Sequence, residues 1–491
     1  MSTSSHTANG SVKTYDSEFK NYIDQEKAAV ELQSATGQLL YNKSVELVLF
    51  RNHLVDRSVS ELLNLHKYAR EVVKKNVSVF DTADLAKILT TLDMAPSKLD
   101  IGKLAAEWIE EGSAFTSKTD FINAKLKNII GQEGNPLIPR DVVLYGFGRI
   151  GRLCARELVK QAGKGQQLRL RAIVTRGNSE AEMVKRLALL RMDSVHGPFA
   201  GTVELDTVNK TMSINGQLVH LIDASNPEDV NYENYGIKNA LIIDNTGAFT
   251  TREALGRHLK AKGVGKVLLT APGKEIPNIV YGVNHKNLDR ENENVYSAAS
   301  CTTNAIVPVL KVVNDNLEVE RGHIETVHAY TNDQNLIDNM HKKSRRGRSA
   351  AINMVITETG AGKAVTKCIP ELKDKLTANA VRVPVPNGSL AVLSLTLKKN
   401  TTLEDINGLL RKASLEGDLV NQIFYSYEPE LVSSDIIGNT CCSVFDSPAT
   451  IVAPDGKNVV LYVWYDNEYG YTKQVIRLAK FISKVNRLVY Y

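Results

Sequence analysis

The sequence predicts a doubly wound α/β domain followed by an α+β domain, with an all-α extension in front of both. Three observations carry this prediction. The first ~130 residues place apolar side chains at helical spacing. After Pro139, short apolar runs alternate with helix-like stretches at the interval of a parallel sheet. From about Ser300 onward, strand-like runs such as LAVLSLTL (390–397) are separated by longer loops. A chain of 491 residues is long enough for two or three such domains. Its 43% hydrophobic and 23% charged residues exclude wholesale disorder and a small disulfide scaffold. No run of ~18 apolar residues occurs, so no transmembrane helix and no membrane partner are expected. The net charge of +5 suits anionic small ligands and is too small and diffuse for a nucleic-acid partner to be expected.

The elements follow in order. Residues 1–14 are Ser/Thr-rich and polar, without the apolar core of a secretory signal; they are expected to be disordered. Residues 15–135 form the helical extension. Ser58 and Glu61 fit a capping box, followed by Leu62, Leu65, Ala69 and Val72 on one face. Leu85, Ile88, Leu89 and Leu92 make the next stripe, then Leu104 and Trp108, then Ile122, Leu126, Ile129 and Ile130, closed by Gly131. GQEGNPLIPR (131–140) reads as a linker. Residues 136–300 are assigned to the doubly wound domain, 301–472 to the α+β domain, and 473–491 to a helix returning to the first of these. Strands are expected at Val142–Leu144, LRLRAIVT (168–175), Ala240–Ile243 and Lys266–Leu269. Five cysteines, an odd and sparse set, argue for a reducing compartment and a cytoplasmic location.

The run Gly146-Phe147-Gly148-Arg149-Ile150-Gly151 follows a strand-like segment and opens a helix. In G-x-G-x-x-G, the glycines permit a tight turn, approach of backbone to a pyrophosphate, and close helix–strand packing. This is a Rossmann dinucleotide-binding fingerprint. The carboxylate that normally holds the ribose 2′-hydroxyl at the end of the second strand is missing. Thr175 and Arg176 stand there, and Arg176 could pair with a 2′-phosphate. The expected cofactor is therefore NADP, or NAD and NADP both.

Cys301 lies in SAASCTTNA, a small-residue segment able to open a helix whose N-terminus would lower the thiol pKa. His328, in TVHAYT, is the candidate partner base.

Residues 140–490 resemble the phosphorylating glyceraldehyde-3-phosphate dehydrogenases. The stretches that carry the resemblance are GFGRIGR (146–152), MDSVHGPFAGTV (192–203), NTGAFTT (245–251), YGVNH (281–285), ASCTTN (299–304), TVHAYT (326–331), ETGAGKAV (358–365), LTANAVRVPVPN (376–387) and WYDNEYGY (464–471). The resemblance implies that Cys301 attacks the aldehyde, that His328 acts as base, and that inorganic phosphate releases an acyl phosphate from a thioester. It also implies that Asn467 holds the nicotinamide carboxamide. Thr246, Gly247, Thr270, Ala271 and Tyr471 would line the dinucleotide. Ser300, Thr302, Thr359 and Gly360 would bind the attacking phosphate, and Thr331, Arg346 and Arg382 the anions opposite. The basic run HKKSRRGR (341–348) would reach a neighbouring subunit's cofactor in a homotetramer. Without the resemblance, that run reads as a solvated basic loop or a nucleic-acid patch.

Departures from the family pattern cluster at the dinucleotide end: Tyr145 for Asn, Thr175 for Asp, and Asn339-Met340 for Leu-Pro. Asp333 replaces a Thr, and Ala305 replaces a second cysteine. Adjacent Cys441 and Cys442 are not expected to form a working disulfide. NADP use would suit the gluconeogenic direction. Erythrose-4-phosphate dehydrogenase is the alternative, disfavoured by the intact Thr359–Gly360. An added protein- or RNA-binding role for the extension is a further alternative. No metal is expected; the extension holds no Cys/His cluster, and its His53 and His66 read as surface or packing residues.

Overall fold

The computed structural model describes residues 14–132, 137–165 and 167–491. The expected disordered start, as far as residue 13, and residues 133–136 of the expected linker lie outside them. Thr14 itself caps the first helix, its side chain accepting from Ser17 N. The chain forms two compact units. One comprises the described residues up to 132 together with Arg487–Tyr491; the other is Leu137–Asn486.

The first unit contains the expected helices. The longest, Tyr15–Lys43, packs its Ala28, Leu32, Ala35 and Leu39 face on the helix Val79–Thr91. Ser58 and Glu61 form the anticipated capping box at the start of Val59–Tyr68. The stripe at 122–130 is only partly helical: its helix ends at Lys125, and Ile130 instead bridges Met94. Among these helices lies a small sheet that the helical reading of this segment did not include. Its order is Asn52–His53, Glu46–Leu49, Ser97–Asp100, Leu488–Tyr490, and the last two pairings are parallel. Runs of four residues are too short for periodicity to separate strand from helix, and every residue of Glu46–Leu49 is buried.

The second unit opens on an eight-stranded sheet. Its order is Val295–Ser297, Val264–Leu269, Ala240–Asp244, Arg140–Tyr145, Leu168–Thr175, Gln217–Asp223, Thr211–Ile214, Val203–Asp206. The first six are parallel and the last two antiparallel. The chain moves outward in both directions from Arg140–Tyr145, so the C-terminal end of that strand is the switch point where such sheets bind ligands. A second, mixed sheet of eight strands is centred on Val319–Ala329 and Ser389–Leu397. The helices Cys301–Leu317 and Leu403–Leu415 share its apolar core.

The helix Tyr469–Ile482 returns to pack on Arg149–Lys160, with Tyr471, Val475, Ile476 and Ile482 in the first sheet's core. It does not continue to residue 491. Lys484 adopts a left-handed φ of 57°, which breaks the helix, and the β-prone Leu488-Val489-Tyr490 pairs as a strand within the first unit. No helix among the described residues is long and apolar enough to cross a membrane.

Candidate active site

The glycine-rich turn lies at the switch point. Gly146 has φ +92°, and a Cβ there would press on Thr246 and Asn245. A Cβ on Gly151 would come within 2.5 Å of Gly146 O, so glycine is what lets helix and turn meet. Gly148, the N-cap of Arg149–Lys160, faces open space. The unpaired N–H groups of that helix's first turn form an anion cradle of the kind that receives a pyrophosphate. Phe147 and Ile150 pack into the core beneath. Arg149 contributes backbone only: its guanidinium pairs with Asp193 at 2.9 Å and with Glu468.

Thr246 donates through N and Oγ1 to Asp244 Oδ1, which leaves Gly247 at the rim with φ +68°. Thr270 Oγ1 donates to Asp244 O and Asn245 Oδ1, and Ala271 O accepts from Ser297 Oγ. All four sit at the C-terminal ends of parallel strands. Thr175 Oγ1 lies 3.3 Å from Asn178 Oδ1. The exposed Arg176 makes no side-chain hydrogen bond or ion pair among the described residues. Tyr145 is buried, edge-on to His258 with centroids 4.7 Å apart. Its hydroxyl is pushed up to about 12 by burial and by Asp244.

Ser300 caps the helix Cys301–Leu317 by accepting from Thr303 N, which sets Cys301 at the helix N-terminus. Cys301 Sγ lies 3.7 Å from His328 Nε2 and 4.0 Å from Thr302 Oγ1. His328 Nδ1 is 2.7 Å from Ala329 O, and Arg382 Nη1 is 3.0 Å from the same nitrogen. Burial pushes the Cys301 thiol up; the backbone N–H groups of the helix N-terminus at Cys301 and Thr302 act in the expected, lowering sense together with the Thr302 hydroxyl and Arg382, but offset burial only in part. Burial, helped by Arg382, brings His328 down to about 4. The resting pair is thus a neutral thiol facing a neutral imidazole, which can act as a proton acceptor.

Arg382 also donates to Ala329 O and Thr331 Oγ1. Arg346 Nη1 pairs with Asp333 at 2.5 Å, its Nε donates to Thr357 Oγ1, and Thr331 donates to Asp333. Asp333 therefore ties Thr331 and Arg346 together. Thr359 and Gly360 form the N-terminus of the helix Ala361–Cys368, which packs on the cysteine helix. Thr302 Oγ1 is 3.2 Å from the Tyr465 hydroxyl. Asn467 Oδ1 accepts from Ser389 Oγ, leaving its NH2 to donate elsewhere. Tyr471 is buried and donates to Ala299 O, so it braces the cysteine turn. The basic run 341–348 is tied to the segment before it, with Arg348 on Asp338.

Sequence reasoning missed the residues that hold these groups. His196 Nε2 is 2.9 Å from Asp466, which also accepts from Asn387 Nδ2 and from the N–H groups of Glu468 and Tyr469. The network fixes the turn that carries Asn467. Its members fall inside MDSVHGPF, PVPN and WYDNEYGY, but nothing in their spacing joins them.

Burial also brings His285 down to about 4 from its ordinary 6.5. His285 and His328 are thus neutral in the fold where the unfolded chain takes up protons. The stability they supply is complete above about pH 6.5 and is lost as pH falls toward about 4. His196, raised chiefly by Asp466 against its burial, acts in the opposite sense. Burial lowers His66 and His220 as well, so four lowered rings stand against one raised ring; Tm should fall on acidification through this window, and His285→Gln should flatten the fall. A Tm that held steady from pH 6.5 to about 4.5 would contradict this.

Comparison with known proteins agrees with this geometry. Family models described as "Glyceraldehyde 3-phosphate dehydrogenase, NAD binding domain" and "Glyceraldehyde 3-phosphate dehydrogenase, C-terminal domain" match residues 140–252 and 300–467. The glyceraldehyde-3-phosphate dehydrogenase of Clostridium pasteurianum is 40% identical over 349 residues, 70% of this chain and 98% of its own. That of Priestia megaterium is 41% identical over 341 residues, 69% and 97%. A glyceraldehyde-3-phosphate dehydrogenase-like protein of Pseudomonas aeruginosa is 49% identical over 454 residues, covering 92% of this chain and 98% of its own. That length exceeds the second unit, so this match runs well into the extension. The chain belongs to the glyceraldehyde-3-phosphate dehydrogenase family and is an NAD(P)-dependent, phosphorylating aldehyde oxidoreductase with inorganic phosphate as co-substrate.

Proposed function

We propose that the enzyme converts glyceraldehyde 3-phosphate to 1,3-bisphosphoglycerate through a thioester on Cys301, and that it uses both cofactors with NADP favoured. The observation that carries the chemistry is the 3.7 Å approach of Cys301 Sγ to the neutral His328 Nε2. His328 takes the thiol proton as Sγ bonds to the aldehyde carbon and returns it to the carbonyl oxygen, giving a hemithioacetal and a neutral imidazole again. The bound nicotinamide supplies a hydride acceptor. As the thioester forms, the proton of the hemithioacetal hydroxyl passes to His328. Phosphate held by Ser300, Thr302, Thr359 and Gly360 attacks the acyl carbon, and the Cys301 thiolate leaves. Arg382, Arg346 and Thr331 hold the substrate's own phosphate; guanidinium forks suit that geometry. Asn467 orients the nicotinamide through its free NH2.

The cofactor reading rests on Arg176, whose guanidinium is unengaged beside a strand end that lacks the usual carboxylate. NADP use would favour the reductive, gluconeogenic direction alongside glycolysis. The same reading makes the enzyme a cytoplasmic homotetramer, with the extension an added module of separate task. Arg176→Ala should lower kcat/KM for NADP about tenfold and change that for NAD far less; equal losses would remove Arg176 from the reading. Product analysis separates the alternative substrate: acyl phosphate supports the present proposal, and free acid from erythrose 4-phosphate would replace it.

A further inference from the structure

We infer that Asp223 is a specificity-determining residue for the cofactor, a fixed anion at the place a 2′-phosphate must approach. The inference rests on the proposed site for the adenosine ribose at Thr175–Arg176. Asp223 ends the strand Gln217–Asp223, the parallel neighbour of Leu168–Thr175, and it lies directly across from Thr175 in the register. Neighbouring strands are about 4.8 Å apart, so the carboxylate stands one strand over from the position where the fingerprint's own acid is missing.

Three features make it more than a surface acid. Its Oδ1 accepts from Gly177 N at 2.7 Å, capping the loop that follows Thr175. That N–H is one of the backbone donors a 2′-phosphate would otherwise find there. Asp223 is exposed and has no cation partner among the described residues, so its charge is not neutralised within the protein. Its neighbours are differently placed. Glu182, also beside Gly177, is engaged by the Ser179 cap and lies 3.9 Å from Arg186. Arg186 itself donates to Asn178 Oδ1 and Arg176 O, holding the loop.

The site thus opposes one loose guanidinium, Arg176, with one loose carboxylate, Asp223. For NAD, the carboxylate can accept from a ribose hydroxyl, as the missing acid would. For NADP, it repels the phosphate and withholds the Gly177 N–H. Dual cofactor use follows from this balance, and Asp223 is the half of it that keeps NAD in play.

The test is kcat/KM and direct binding of NAD and NADP to the full chain and to Asp223→Asn, which removes the charge at constant shape. The ratio of NADP to NAD efficiency should rise about tenfold, and the rise should shrink at high salt, which already screens the repulsion in the parent chain. A ratio unchanged within about twofold, or equal losses for both cofactors, would make Asp223 a loop cap only and overturn the inference. Asp223→Glu should keep the ratio near that of the parent chain; a rise as large as that of Asp223→Asn would also overturn it. Arg176→Ala separates the two ideas. If it leaves the ratio unmoved while Asp223→Asn raises it, the Arg176 reading fails and the Asp223 inference stands.

Discussion

Cys301→Ala should lower kcat/KM for phosphorylating oxidation at least about ten-thousand-fold, the loss typical of removing a covalent nucleophile. No other cysteine can replace it: Cys154, Cys368, Cys441 and Cys442 are all buried. Burial pushes the thiols of Cys368 and Cys442 up to about 12, and that of Cys154 well above its ordinary value. Binding of the dinucleotide should persist, because the glycine turn and Asn467 stand on other elements. His328→Gln should cost about 10²–10⁴-fold, the range of a lost general base. Because His328 titrates near 4, the parent enzyme should keep its base down to about pH 5, and kcat/KM should not fall between pH 8 and 6 through loss of that base. Measured rates for the two variants, with cofactor titration by fluorescence, decide the matter. Substantial turnover by Cys301→Ala would sink the thioester route.

Ending the chain at Asn486 should destabilise the first unit while leaving the chemistry of the second in place. The last five residues, Arg487–Tyr491, belong to the first unit. Leu488–Tyr490 covers the edge of Ser97–Asp100. Arg487 Nη1 is 2.9 Å from Glu46 Oε2 in a buried pair. Glu46 is held well below the usual carboxylate range: burial opposes its charge, but Lys98, His53 and Arg487 together outweigh it. The Arg51 guanidinium stacks 4.0 Å from the Tyr491 ring, and the Tyr490 hydroxyl donates to Glu107. Removing one partner of a buried ion pair typically costs about 3–5 kcal/mol. Glu46 would keep Lys98 and its hydrogen bond to His53, so Arg487→Ala should cost near the low end, about 3 kcal/mol, and the truncation more. Hydrogen exchange on the full-length and truncated chains should show protection lost across residues 15–132, with specific activity retained. Unchanged protection would show that the strand is an ornament on a sheet that stands without it.

Much of the second unit was legible in one dimension. The glycines at 146 and 151 dictate their own geometry, one through its positive φ and the other through close packing, while Gly148 leaves open the space before the helix N-terminus. LRLRAIVT and LAVLSLTL are long enough to read as strands, and both form as read. Ser58 and Glu61 cap a helix because the two groups are three residues apart. Cys301 and His328 were nominated by type and by resemblance, and the fold does bring them together.

What escaped the sequence depends on residues distant in the chain. The thiol and imidazole shifts come from burial and from Arg382, which arrives on a neighbouring strand. Asp466 meets His196 across 270 positions, and Asp223 reaches Gly177 only because two strands lie side by side. The small sheet was hidden for the same reason: Glu46–Leu49 pairs with Ser97–Asp100, and the far terminus of the chain supplies its last strand. The sequence by itself determined the local geometry, the order of the domains and the identity of the chemical groups, because these follow from short-range sterics and side-chain type. Only the tertiary structure decided which charges face one another and which are stripped of water, because Coulomb interaction and desolvation depend on distance through space and not along the chain.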